Sequence, residues 1–253
     1  MRILYFQDAT PLGDRVRELL ASQGHSLWVV RSSDVKVDLP GRVIEDGSVW
    51  NESAPPSDFE PQLLLIGTFP WRLPAEWIRA APLALNLHSS LLPRWRGAHP
   101  EFWALRTGDA FSGVTLHHLT HGFDQGPIAA QRRFPLTDDE CLGSLCEKMA
   151  AAAEQLTIEL LERLATGTPI PAREQEEGVF PRAPTVRDQD LEIRHDATLA
   201  ETRRLLRACF PYIKPWFIQD GIRWSVAPGG TPIRRALRDG EIRLSAVRAE
   251  LSN

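Results

Sequence analysis

In Asn86-Leu87-His88 an amide and an imidazole stand two residues apart, so both point to the same side of an extended strand. Pro93 and Gly97 follow, and residues of those types turn the chain out of a strand into an exposed loop. An amide N–H can donate to the oxyanion of a tetrahedral intermediate, where loss of one such donor costs about 3–4 kcal/mol of barrier. An imidazole titrates near neutrality and can take and return a proton. Further on, Asp124 of Asp124-Gln125-Gly126 supplies a carboxylate that could hold the imidazole and favour its protonated form, or order a water that relays the proton. Taken singly these residues have plain readings: a backbone cap, a satisfied histidine, an ordinary turn. Taken together they suit attack on a carbonyl carbon, and the scheme needs no metal.

Such residues need a sheet rim to stand on. Residues 1–6 read as a buried strand, 12–22 carry Val16, Leu19 and Leu20 at helical spacing before Gly24, and 26–31 make a second strand. This opening predicts an α/β fold, a doubly wound, Rossmann-like and mostly parallel sheet. Residues 62–67 are the strongest buried strand. Between Asp34 and Asp58 the chain turns polar and Pro-rich, with Pro40, Pro55 and Pro56, which predicts an irregular connection holding at most a short strand near Val43-Ile44.

Thr137-Asp138-Asp139-Glu140 reads as a capping box that starts a helix, whose apolar face runs from Leu142 through Met149 to Leu164 before Gly167. Residues 168–184, proline-rich and charged, read as a linker or a single edge-strand excursion. Thr198-Leu199-Ala200-Glu201 caps a helix through Cys209, with Arg203, Arg204 and Arg207 as its solvated face. A turn at Gly221, a strand over 222–226 and a β-rich remainder complete a division into a catalytic domain over 1–180 and a small C-terminal α+β extension over 181–253.

A chain of 253 residues with 43% hydrophobic content can bury one sizeable core plus an appendage. Its net charge of -4 offers no general attraction for nucleic acid. Cys141, Cys146 and Cys209 lack Cys-x-x-Cys spacing, which argues against a disulfide framework and a zinc site. The first strand is too soon interrupted by Gln7-Asp8 to be a signal peptide, and no stretch approaches the roughly 20 apolar residues of a membrane span; a cytoplasmic protein is expected. A dinucleotide fingerprint would place Gly-x-Gly-x-x-Gly after the first strand, but Gln7 to Gly13 holds one glycine, so nicotinamide and flavin chemistry are disfavoured.

The run from Asn86 through His88, Ser90-Leu91-Leu92-Pro93, Trp95-Arg96-Gly97 and Pro100 resembles the formyltransferase family's motif. Gly113-Val114-Thr115-Leu116-His117 and Asp124-Gln125-Gly126 match its second motif in order and separation. Methionyl-tRNA formyltransferases, glycinamide ribonucleotide formyltransferases, nucleotide-sugar formyltransferases and formyltetrahydrofolate hydrolases share this core. The resemblance implies that Asn86, His88 and Asp124 are catalytic and that 10-formyltetrahydrofolate is the formyl donor. It also implies that the turn Phe69, Pro70, Trp71, Arg72 and Leu73 clasps the pteridine ring, with His121, Gly122 and Phe123 as the opposite wall. Trp71 and Arg72 depart from the family's usual aliphatic pair, and Trp71 could equally pack on the following helix. Ser90, Arg96, Gly97 and His117 are expected on the acceptor side.

The expected acceptor is a primary amine on a small or nucleotide-linked molecule such as an amino sugar. A tRNA acceptor is disfavoured by the acidic charge and by the 27 residues after Val226, too few for a full oligonucleotide-binding barrel. Those residues are expected to close the acceptor pocket or make a homodimer contact. The remaining alternatives are a formyltetrahydrofolate hydrolase and a folate-binding module without turnover.

Overall fold

A computed structural model describes residues 1–44 and 58–248. Strands β1 (Arg2–Gln7), β2 (Ser26–Ser32), β3 (Gly41–Ile44), β4 (Leu63–Thr68) and β5 (Ala84–His88) run parallel to one another. After the two-residue β6 (Arg96–Gly97), β7 (Phe111–His118) and β8 (Ile128–Pro135) join antiparallel, completing a seven-stranded sheet in the order β3-β2-β1-β4-β5-β7-β8. The expected doubly wound, mostly parallel sheet is therefore observed. Its central strands are covered on both faces, so β1 and β4 are apolar almost throughout rather than alternating.

Helix α1 (Pro11–Ser22) starts as its sequence dictates, with proline in the first turn and the Thr10 side chain accepting from the Gly13 N–H. It shares one core with α4 (Leu142–Thr166), whose Leu145, Met149, Leu156 and Leu160 are buried. The predicted start of α4 is corrected. Glu140 does reach back to accept from the Thr137 N–H at 3.0 Å, but this closes a turn, and the helix is capped four residues later by Cys141 and Ser144. Its end is as expected, at Gly167 with φ 68°, a left-handed cap that favours glycine.

The short α2 (Ala75–Ile78) buries Trp77 in one cluster with Leu4, Phe6 and Leu64, and α3 (Pro100–Thr107) buries Phe102 and Leu105 in the core shared by α1 and α4. After β9 (Arg182–Ala183), helix α5 (Leu199–Cys209) begins with the expected Thr198–Glu201 box. The antiparallel sheet of β10 (Trp216–Gln219), β11 (Ile222–Leu237) and β12 (Gly240–Arg248) follows. β11 extends past the predicted end at Val226 because Pro228-Gly229-Gly230 is absorbed as an irregularity in the ladder between Val226 and Thr231. Phe217, Ile233, Leu237, Leu244 and Ala246 of this sheet join the same core as α1 and α4.

Of the solvated face predicted for α5, Arg203 is exposed as expected, whereas Arg207 donates to the Thr137 carbonyl and pairs with Asp138. The short strand near Val43 is present as β3, whereas Pro55, Pro56 and the last residues, 249–253, lie outside the described residues. Among the described residues no helix is long and apolar enough to cross a membrane.

Candidate active site

β5 carries Asn86 and His88 to the carboxyl edge of the sheet, and its antiparallel neighbour β7 sets His117 opposite Asn86 and Thr115 opposite His88. Two motifs, each with a two-residue step, thus face each other across one ladder. Gly113 lets β7 lie close to β8 and to the turn after β5: a Cβ there would stand 2.1 Å from the Arg132 carbonyl oxygen and 2.6 Å from Leu91. Thr115 is fully buried and fastens the turn after β5, donating to the Ser90 carbonyl at 2.6 Å and accepting from the Leu92 N–H at 3.1 Å.

That turn folds back on the imidazole. The His88 Nε2 stands 2.9 Å from the Trp95 carbonyl oxygen; a carbonyl only accepts, so Nε2 carries the hydrogen. The other nitrogen, Nδ1, faces Asp124 Oδ1 at 3.6 Å. Asp124 is itself left-handed, with φ 53°, a conformation more accessible to aspartate than to most residues. Its Oδ2 accepts from the Gly97 N–H at 2.8 Å, and its Oδ1 stands 3.7 Å from His117 Nε2. One carboxylate therefore addresses both imidazoles. Gly126 permits the turn, because a Cβ there would fall 1.8 Å from the His118 carbonyl oxygen.

His117 is 2% exposed. Its Nδ1 donates to the His118 carbonyl at 3.0 Å, which leaves Nε2 to accept from the Asn86 amide at 3.0 Å. Burial above all, then electrostatic repulsion from the His88 ring, lowers its pKa to about 4, so this imidazole is neutral at ordinary pH. A neutral acceptor on one hydrogen of the Asn86 amide fixes which way that amide faces. The second amide hydrogen remains for the cleft.

Beside Asn86 opens a cleft lined by Ile66, Phe69, Trp71 and Leu73 on one side and Leu119 to Asp124 on the other. Apolar walls with a few convergent polar groups suit a flat heterocycle. Trp71 packs edge-on against Phe69, with ring centroids 5.2 Å apart. Arg72 crosses the mouth, donating to the His121 carbonyl and lying 5.8 Å over the Phe123 ring. Pro70 is exposed and is not among the residues that line the cleft.

The residues expected on the acceptor side separate. Gly97 touches Asp124. Arg96 donates to Gln175. Ser90 is corrected: it is 2% exposed and donates to the Arg94 carbonyl at 2.7 Å, so its hydroxyl is spent inside the turn. His117 lines the cleft beside Asn86 and accepts from its amide. Sequence reasoning missed the Trp95 carbonyl and Gln175. For the first, no side-chain identity signals a backbone contact, and the second lies in the stretch read as a linker.

Residues 56–161 match the family model described as formyl transferase. A methionyl-tRNA formyltransferase of Levilactobacillus brevis is 30% identical over 200 residues, spanning 77% of this chain and 61% of that protein. The chain thus spans about three fifths of the length of such curated relatives. Among solved structures, HypX from Aquifex aeolicus in complex with tetrahydrofolic acid superposes with a TM-score of 0.75 at 18% identity, covering 98% of this chain and 46% of that one. A sugar N-formyltransferase from a Shewanella species superposes with a TM-score of 0.66 at 17% identity, covering 100% of this chain and 99% of that one. At these identities the superpositions speak for a shared fold.

Proposed function

We propose that this chain, which belongs to the formyltransferase family through residues 56–161, moves the formyl group of 10-formyltetrahydrofolate to a primary amine. The observation that carries the reading is the convergence of Asn86, His88 and Asp124 at the end of β5, with His88 Nδ1 3.6 Å from Asp124, Asn86 held 3.0 Å from His117, and Asn86 and Asp124 lining one cleft.

The acceptor nitrogen attacks the formyl carbon, and the carbonyl oxygen becomes an oxyanion that takes the remaining Asn86 amide hydrogen. With Nε2 committed to Trp95, His88 receives the amine proton at Nδ1, where Asp124 stabilises the resulting imidazolium. The same proton passes to N10 of the folate as the bond between N10 and the formyl carbon breaks, so no proton or electron is left over. Phe69, Trp71 and Leu73 would hold the pteridine against Leu119 and Phe123. Arg72 would have to leave the His121 carbonyl or clasp the ring from above.

The acceptor we favour is a small or nucleotide-linked amine, such as an amino sugar. The acidic balance of the chain supports it, since a net charge of -4 provides little of the electrostatic term that dominates nucleic-acid affinity. A tRNA-linked amine is the second reading, favoured by the names of the sequence relatives.

Tetrahydrofolate release from 10-formyltetrahydrofolate, measured against aminodeoxy nucleotide-sugars, charged initiator tRNA and water alone, tests the reading. Release that requires a nucleotide-sugar amine and disappears in Asn86→Ala and His88→Ala supports it. Release that requires the tRNA moves the assignment to the second reading. Equal release in water alone makes the protein a hydrolase, and no release with tetrahydrofolate still bound makes it a folate-binding module.

A further inference from the structure

The segment that follows α4 is more than a connection. Ile128 and Arg173 exchange both backbone hydrogen bonds, at 2.7 and 2.9 Å, and the Pro181 carbonyl accepts from the Trp95 N–H at 2.8 Å just before β9 pairs with β6. Between these anchors the Gln175 side chain reaches into the site. Its Nε2 donates to the Asp124 carbonyl and to the Gly126 carbonyl, both at 2.8 Å, while its Oε1 accepts from Arg96 Nε at 3.0 Å and from Nη2 at 2.5 Å.

We propose that Gln175 is the positioning residue for Asp124, its primary amide locking the 124–126 turn to the 96–97 strand so that the carboxylate faces both imidazoles. This inference rests on the formyl-transfer reading for its kinetic consequence. A left-handed non-glycine residue persists where its surroundings over-determine it, and Asp124, with φ 53°, is tied twice. Gly97 holds its carboxylate and Gln175 holds its carbonyl. The turn carbonyls need donors and the Arg96 guanidinium needs an acceptor, and a primary amide is a side-chain terminus that offers two hydrogens and an accepting oxygen together. Because Arg96 and Gly97 are adjacent, releasing Gln175 frees the carboxylate's two supports to drift relative to each other.

Gln175→Glu separates positioning from mere docking of the segment. Glutamate keeps the size and strengthens the Arg96 contact, but sets an accepting carboxylate against two carbonyls. Gln175→Leu removes both contacts. We expect Gln175→Glu to lower kcat for formyl transfer by about tenfold or more, with its thermal midpoint within about 4 °C of the parent and an altered pH profile of kcat. Parent-like kcat and pH profile in Gln175→Glu, with loss confined to a thermally weakened Gln175→Leu, would overturn the proposal. The ring ¹⁵N shifts of His88 and His117 report the adjacent carboxylate without needing turnover. If the parent transfers no formyl group, the functional reading fails, yet shifts that move in Gln175→Glu sustain the positioning role and unchanged shifts reject it.

Discussion

His117 should make the fold labile to acid, and replacing it should remove that lability. Its imidazole is 2% exposed and holds its pKa at about 4 in the folded protein, against an ordinary value of 6.5. An unfolded chain therefore binds a proton at this position as pH falls through 6.5, while the folded chain does not until about 4. Between those values the unfolded state binds more protons, so stability falls as pH falls. At about 1.4 kcal/mol for each pH unit the window corresponds to about 3 kcal/mol, a large share of the 5–15 kcal/mol that is typical of a whole domain. His117→Gln stays neutral throughout and retains an acceptor for Asn86. Urea unfolding of both proteins at about pH 7 and about pH 4 isolates this one group from the other carboxylates and histidines, because only the difference of differences is read. The parent should lose about 3 kcal/mol more than His117→Gln across the interval. Parallel losses would mean that the buried imidazole is protonated in the folded state. The Asn86 amide would then have to turn its oxygen toward it, removing the proposed oxyanion donor.

Asn86→Ala should lower kcat by about a hundredfold to a thousandfold with little change in donor KM, as for loss of an oxyanion donor; a proportional rise in KM with kcat intact would assign the amide to ground-state binding. Leu156→Ala, at a position 1% exposed where α4 meets the sheet, should cost about 2–5 kcal/mol in chemical denaturation without moving KM. A cost below about 1 kcal/mol would show that the shared core collapses around the deletion instead of retaining a cavity.

The parts of this fold that were legible in the sequence are those set by short spacing. A two-residue step must put Asn86 beside His88 and Thr115 beside His117 on any strand, and the buried runs at 1–6 and 62–67 leave little choice of element. Even so, spacing named the residues better than their duties. Ser90 and His117 lie in the same two motifs as Asn86 and His88, yet burial turns one into a turn fastener and the other into a support for the amide. The misplaced start of α4 has a related cause. Thr137 and Glu140 satisfy a local hydrogen-bond pattern that closes a turn as readily as it opens a helix, and only the next box, at Cys141 and Ser144, is followed by helical backbone. What stayed illegible is the closure of the site from a distance. Gln175 lies 51 residues from Asp124 and 79 from Arg96, in a stretch whose prolines and charges carry neither period. A residue that joins two distant segments leaves no local pattern, and two of the three residues that Gln175 bonds are met through backbone carbonyls that every residue possesses.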